Sequence, residues 1–200
     1  MPSKNTVKQY DSPAYYHVYN RGAGGQLIFK DAADNIKFLS LLERHLSNNY
    51  ADEHPEQINK RFDVEVIAYC LMNNHFHLLL YQDDSPDQIS LLMRSVSTAY
   101  SMYFNKKYKS QGHLFQSVFR ASMIDNESYL LHITRYIHMN PRTYTTYKWS
   151  SLPYFIGQKQ SDWVNPRRLL DMTPVQYSEF LREYEGKREE LKQIKHMLAA

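Results

Sequence analysis

The nine residues from Met72 to Leu80, Met-Asn-Asn-His-Phe-His-Leu-Leu-Leu, constrain the fold of this chain more tightly than any other stretch. Apolar residues favourable to β-structure run on to Tyr81, and the alternation through His75, Phe76, His77 and Leu78 reads as a strand. Side chains two apart share one face of a strand, so His75 and His77 point the same way while Phe76 and Leu78 point into a core. A rise of about 3.3 Å per residue puts the two histidine Cβ atoms roughly 6.5–7 Å apart, a span that one divalent cation can bridge. A short H-x-H motif also recurs by accident, as two histidines on a half-exposed strand. The pair therefore needs a nucleophile or a third ligand elsewhere in the chain.

The elements around it follow the order β-α-β-β-α-β and then a helix. Tyr15 to Tyr19 alternates as a first strand, broken by Asn20-Arg21-Gly22-Ala23-Gly24-Gly25. Those glycines let backbone amides approach a phosphate, but the spacing fits no nucleotide-binding fingerprint and a plain turn explains it as well. Asp31 caps a helix whose apolar stripe, Ile36, Leu39, Leu42 and Leu46, reaches about Asn48. Asn49 to Arg61, polar and containing Pro55, reads as an exposed loop, and Phe62 to Tyr69 as a second strand. A turn near Met72 to Asn74 makes an antiparallel hairpin with the histidine strand. Ser85-Pro86-Asp87-Gln88 predicts a helix with Ser85 as its cap, continued by Ile89, Leu92, Met93, Val96, Tyr100 and Tyr103 to about Lys107. Phe115 to Ile124 reads as a fourth strand, and Asn126 with Glu127 opens a third helix that Pro141 closes. This is an α+β, ferredoxin-like split βαβ pattern: an antiparallel sheet of order 4-1-3-2 with helices on one face and the histidine strand inside the sheet.

Beyond Pro141 the stretch Trp149-Ser150-Ser151 through Gln160 is loop-like, and Thr173-Pro174-Val175-Gln176 starts a last helix. Its stripe of Tyr177, Leu181, Tyr184 and Leu191 opposes a densely charged face, as in a solvated amphipathic helix. The expected division is one domain over 13–155 and a C-terminal helical extension over 156–200.

A length of 200 residues can bury a sizeable core in one domain with an elaboration. No run of apolar residues is long enough to span a bilayer, and the opening Met-Pro-Ser-Lys-Asn-Thr-Val-Lys has no apolar signal segment, so a cytoplasmic protein without a membrane partner is expected. Cys70 is the only cysteine, which excludes an internal disulfide and a multi-cysteine zinc site and suits a core thiol. The net charge of +3 is too small to announce a nucleic-acid partner, but it is unevenly placed. From Gln88 to Ile124 there is no acidic residue, while Arg94, Lys106, Lys107, Lys109 and Arg120 alternate with Tyr100, Tyr103, Phe104 and Tyr108. That mixture suits phosphate contact and base stacking, and equally a solvated helix face above buried rings.

The third helix carries Arg135-Tyr136-Ile137-His138-Met139-Asn140-Pro141. Tyr136 and Asn140 are one turn apart on one face, which also includes His132 and Tyr129, while Leu130, Ile133 and Ile137 form the apolar side. A tyrosine serves as a nucleophile toward phosphorus when a cation polarises the phosphate, and the phosphotyrosine ester conserves bond energy for rejoining, so no nucleotide cofactor is needed. Asn140 can add a side-chain oxygen beside the two imidazoles. Most of the chain's 17 tyrosines sit on core stripes, and by spacing alone Tyr136 serves equally as a packing residue.

The His75-Phe76-His77 strand, followed by a helix, a fourth strand and Tyr136-Ile137-His138-Met139-Asn140-Pro141, resembles the single-tyrosine HUH transposases of the insertion sequence 200-like superfamily, and most closely the REP-associated tyrosine transposases. The resemblance covers roughly 13–155 and includes Tyr16-His17-Val18-Tyr19-Asn20-Arg21-Gly22, Phe115-Gln116 and Trp149-Ser150-Ser151. Asn73 stands where the family usually has proline and Phe76 where it often has valine, neither of them a reacting group. The resemblance implies a ferredoxin-like fold that cleaves and rejoins single-stranded DNA near hairpins through a covalent 5′-phosphotyrosine, with Mn2+ or Mg2+. By motif match it implies His75 and His77 as metal ligands, Tyr136 as nucleophile and Asn140 as helper ligand. Because imidazole suits borderline metals better than magnesium, manganese is the favoured ion. Asn20, Arg21, Arg94, Lys106, Lys107, Lys109 and Arg120 are the candidate DNA contacts, and both monomers and homodimers occur among such proteins.

Two other readings compete. A two-histidine phosphodiesterase needs a hydroxyl residue two places after each histidine, where this chain has His77 and Leu79. A tyrosine-rich sheet can also bind single-stranded or hairpin nucleic acid without cutting it, as RNA-recognition modules do.

Overall fold

The computed structural model describes residues 10–50, 61–169 and 171–187. Strands β1 (Ala14–Arg21), β2 (Val64–Met72), β3 (His75–Gln82) and β4 (Arg120–Ile124) form one antiparallel sheet in the order β2-β3-β1-β4. This is the expected 4-1-3-2 arrangement, with the histidine strand inside the sheet. Helices α1 (Ala32–Leu46) and α2 (Gln88–Tyr108) lie over one face and α3 (Glu127–His138) over the other, giving two apolar cores. Tyr16, Val18, Phe76 and Leu78 meet Phe38, Leu42, Leu92 and Val96 in the first core. In the second, Leu79, Tyr81 and Ile124 meet Leu130, Ile133 and Ile137 of α3.

Local detail departs from the sequence pattern where tertiary contacts override it. Asp31 caps α1 as expected, in a reciprocal box with Asp34. The core stripe of that helix is rotated, however: Ile36 is exposed while Phe38, Leu41, Leu42 and Leu46 are buried, because the Phe38 ring seats 5.0 Å from that of Phe76. Ser85 does not cap α2. Its hydroxyl donates to Asp87, and the Ile89 N–H of the first turn donates 3.1 Å to Gln82 Oε1 at the end of β3. Strand β4 starts only at Arg120, since the chain from Phe115 makes a single bridge to Gly22 and one bond from Gln116 N–H to Arg21 O before leaving β1.

Strand β2 runs on to Met72, three residues past the expected end, and carries a bulge between Val66 and Ala68. The irregularity puts Ile67 and Ala68 together in the α3-side core and resets the alternation, so that Cys70 pairs with His77 on that face. Cys70 is a buried thiol, and burial pushes its pKa up.

The outer edge of β2 is covered by chain that follows Pro141. Leu71 N–H donates to Trp149 O, Ser151 N–H to Tyr69 O and Asn165 N–H to Val66 O, each within 2.8–2.9 Å. The stretch read as loop-like after Trp149 therefore acts as an edge cover and includes a one-turn helix, α4 (Leu152–Phe155). Helix α5 (Pro174–Arg182) opens with the expected Thr173–Gln176 box and buries Tyr177 and Leu181 against α3. Most of the expected 49–61 loop, with Pro55, and Leu191 of the last stripe lie outside the described residues. Among the described residues no helix is long and apolar enough to cross a membrane.

His138, fully buried at the end of α3, ties these pieces together. Its Nδ1 lies 2.7 Å from Tyr177 Oη and its Nε2 2.7 Å from Ser151 Oγ, and Tyr177 Oη in turn donates to Thr134. Burial pushes the His138 pKa down to about 3. An unfolded chain takes up a proton below about pH 6.5 that the native chain refuses, so this contribution to stability is complete above that pH and is lost as pH falls toward 3. The slope is about 1.4 kcal/mol per pH unit over that window. Urea unfolding should therefore show stability falling between pH 7 and pH 5, and in His138→Gln, which does not titrate, that fall should be about 2 kcal/mol smaller.

Candidate functional site

The β1–β3 register decides which side chains meet on the α3 face. Tyr19 stands opposite His77 and Arg21 opposite His75, with His17 two residues further along the same face of β1. The rings of His75 and His77 lie 5.0 Å apart, as the strand alternation requires, and Tyr136 reaches down from α3 to place its ring 5.2 Å from His77 and 6.0 Å from His17. The three residues expected to act together are thus joined from two elements at one end of the sheet. They line a cleft of about 320 Å³ with Tyr19, Arg21, Gln116, Ser117 and Arg120 on its walls. Its lining contains two arginines and no carboxylate, an electrostatic setting for a phosphate.

The histidine pair is held from behind. Asn73 and Asn74 form the turn before β3, and the loop after β1 clasps it: Gly22 N–H donates to Asn74 O, and Ile28 and Phe29 N–H both donate to Asn73 O. Gly22 is required here, because a Cβ at that position would sit 2.2 Å from Gln26 O. Amides of Gly22, Ala23, Gly25 and Gln26 all bond to protein carbonyls, so the glycine loop is a turn that buttresses the site. Asn74 Oδ1 accepts from His75 Nδ1–H at 2.6 Å, and Nδ1 of His77 lies 2.9 Å from Nε2 of the buried His17. The donor types suit a borderline divalent cation: with the Nδ1 atoms of both imidazoles engaged by protein, Nε2 is the nitrogen each would offer to it. Among the described residues no group of three or more His, Cys, Asp or Glu is placed to hold a metal ion, so further ligands would be amide, phosphate or water oxygens.

Tyr136 is 6% exposed, and burial raises its pKa to about 12 while the Asn140 side chain, bonded to it, pulls the other way. Asn140 therefore sits beside the phenol, and it is not among the residues that line the cleft. His132 turns away, its ring 6.1 Å from Phe180 and 6.3 Å from Tyr184, and Tyr129 packs in the α3-side core, so neither joins the site.

The sequence pattern of the family described as Transposase IS200 like matches residues 40–140. This chain belongs to that family. No curated protein matches the sequence. A solved structure of a REP-associated tyrosine transposase bound to a REP hairpin aligns with a TM-score of 0.54 at 13% identity, covering 86% of this chain and 96% of the other. At that identity the likeness is one of fold. A crystal structure of a transposase candidate from Deinococcus radiodurans aligns at 16% identity over 68% of this chain and 95% of its own, with a TM-score of 0.38.

The basic residues of this IS200-like chain divide by location. Arg21 and Arg120 line the cleft, whereas Arg94, Lys106 and Lys107 lie on α2 and Lys109 at its end, across the sheet from it. Asn20 is buried, its amide donating to Ser117 O and its Oδ1 accepting from Arg21 N–H, so it shapes the cleft wall from within. Lys107 bonds the carboxylates of Asp31 and Asp34 at 2.7 Å each, and the hydroxyls of Tyr103 and Tyr108 reach Asp34 as well. Burial pushes the Asp34 carboxyl up, but these partners more than reverse it and hold it low. Lys107 thus locks the start of α1 onto α2. His17 and Tyr19 are site residues that strand alternation alone did not single out, and Gln116 and Ser117 enter only because β4 begins late. Lys107→Ala should lower the melting temperature by several degrees, while Lys106→Ala, which removes an exposed charge, should leave it nearly unchanged in the same thermal scan.

Proposed function

We propose that this protein cleaves and rejoins single-stranded DNA beside hairpins, with Tyr136 as the nucleophile and a divalent ion, Mn2+ or Mg2+, held by His75 and His77. One observation carries the reading: Tyr136 and the histidine pair, distant in sequence, share a carboxylate-free cleft with Arg21 and Arg120. Family membership supports transposase chemistry, and the REP hairpin bound by the similar structure supports a structured single strand as substrate.

In this reading Arg21 and Arg120 draw the phosphodiester into the cleft and orient it beneath the Tyr136 hydroxyl. Tyr136 Oη attacks phosphorus; the Oη–P bond forms, the bond to the 3′ oxygen breaks, and the strand leaves as a 3′ hydroxyl carrying the proton that the phenol gives up. The 5′ end stays on Tyr136 as a phosphotyrosine, and attack by a 3′ hydroxyl reverses the step and rejoins DNA. When bound, the divalent ion polarises the phosphate and stabilises the departing oxygen. Asn140, bonded to the phenol, favours its ionised form and so opposes the effect of burial.

Incubating the protein with labelled hairpin-bearing single strands and Mn2+ tests this directly. The parent should form a DNA adduct that survives denaturation, and Tyr136→Phe should abolish adduct and cleavage while keeping the ring, the melting temperature and hairpin affinity. His75→Ala or His77→Ala should lose ion-dependent cleavage and retain binding. A parent that binds hairpins but never forms the adduct would favour a binding protein that does not cut.

Affinity gives a second test. Arg21→Glu with Arg120→Glu should weaken single-strand binding and flatten its salt dependence, by about 0.7 in the log–log slope for each phosphate that is no longer neutralised. A slope equal to the parent's would remove the two arginines from the interface.

A further inference from the structure

An imidazole that binds a cation through one ring nitrogen carries its hydrogen on the other, so the partner of that second nitrogen decides which lone pair is presented. For His75 the partner is unambiguous. Asn74 Oδ1, 2.6 Å from His75 Nδ1, is an acceptor only, so Nδ1 holds the hydrogen and Nε2 the lone pair. For His77 the partner is another imidazole, His17, whose Nε2 lies 2.9 Å from His77 Nδ1, and either ring can be the donor.

The two choices differ in consequence. If His17 donates, His77 must carry its own hydrogen on Nε2, and that nitrogen has no lone pair for a cation. If His77 donates, its Nε2 matches that of His75, and His17 must hold its hydrogen on Nδ1. That atom is buried with no hydrogen-bond partner in either tautomer, so its burial does not choose between them, and only the tautomer in which His77 donates leaves His77 Nε2 a lone pair. His17 is also fixed in place. Only 2% exposed, its ring stacks 5.1 Å from His77 and 5.1 Å from Tyr19, with the edge of Tyr136 6.0 Å away.

We propose that His17 is a positioning residue for the histidine pair: it accepts from His77 Nδ1–H, gives His77 the tautomer that Asn74 gives His75, and turns both Nε2 atoms toward one cation. This rests on the metal-dependent reading of the cleft. His17 is not a third ligand, because its Nε2 is engaged by His77 and its Nδ1 is buried.

The test needs no turnover. Mn2+ binding to the full chain without DNA, followed by the paramagnetic resonance of the free ion, should weaken about 10–100-fold in His17→Phe, which keeps a flat ring in the stack but offers no acceptor. His17→Gln, whose Oε1 takes the place of Nε2, should recover most of the affinity. In parallel, two-bond proton–nitrogen correlations on the metal-free parent should find Nδ1–H on both His75 and His77, a readout independent of how any variant folds. A parent with His77 protonated on Nε2 would overturn the assignment, as would His17→Phe binding Mn2+ like the parent while His77→Ala does not. Unchanged affinity in both His17→Phe and His77→Ala would instead sink the metal site itself, and this role with it.

Discussion

Everything in this molecule that points toward chemistry depends on the pairing of β1 with β3. A strand's side chains alternate, so a slip of one residue in that register would turn His17 and Tyr19 into the α1–α2 core and expose Tyr16 and Val18 to the cleft. No short turn joins these two strands to set the register locally. It is held by burial on the far face, where Tyr16, Val18, Phe76 and Leu78 close around Phe38, and by the clasp of the 22–29 loop on the Asn73–Asn74 turn. The histidine pair inherits its rigidity from both. Position and stability are thereby divided between the faces of one sheet, with aliphatic and aromatic packing on one and a polar cleft at one end of the other.

The same division explains the basic stretch between Gln88 and Ile124. Its charges look continuous in sequence, yet a 21-residue helix and a turn carry them to different layers. Lys107 sits over Asp31 and Asp34, where it completes the capping of α1, and Lys30 approaches the ring of Tyr108 at 4.2 Å. Arg120 alone of the run lines the cleft, where Arg21 from β1 joins it. Charge read along a chain measures composition, whereas a phosphate responds to the charges that one face brings together.

How much of this was legible in the sequence follows from the range of the interactions involved. The element order, the interior position of the histidine strand, the shared face of His75 and His77 and the place of Tyr136 all follow from periods of 2 and 3.6 and from turn residues, which are local. The Thr173 box and the Asp31 cap are local too, and both are present. The failures are long-range. Gln82 rather than Ser85 caps α2 because the end of β3 lies beneath it; the bulge at Ile67 exists only with respect to β3; and Ile36 is exposed because Phe38 fits above Phe76. His17 belongs to the same class. Its alternation with Tyr19 was visible, but its contact with His77 requires the β1–β3 register.

The helix that carries Tyr136 is fixed from its outer side by groups that have no part in phosphate chemistry. Arg135, its neighbour in sequence, is buried with its guanidinium 3.4 Å from the ring centre of Phe180 and 3.7 Å from that of Tyr184, and His138 bonds Tyr177 and Ser151. Stacking lets a guanidinium be buried with few hydrogen bonds, since the ring faces take the place of water above and below its plane. Rotating α3 would strip Arg135 of both rings and break the His138 bonds at once, so the azimuth of Tyr136 over the histidine pair is determined by Ser151 together with the segment beyond residue 155. That segment shares the α3-side core through Tyr177 and Leu181 and covers the edge of β2 through Val164 and Asn165. The geometry of Tyr136 is therefore set jointly, by a sheet register below it and by C-terminal packing above it, and a change in either reaches Tyr136 without touching the cleft.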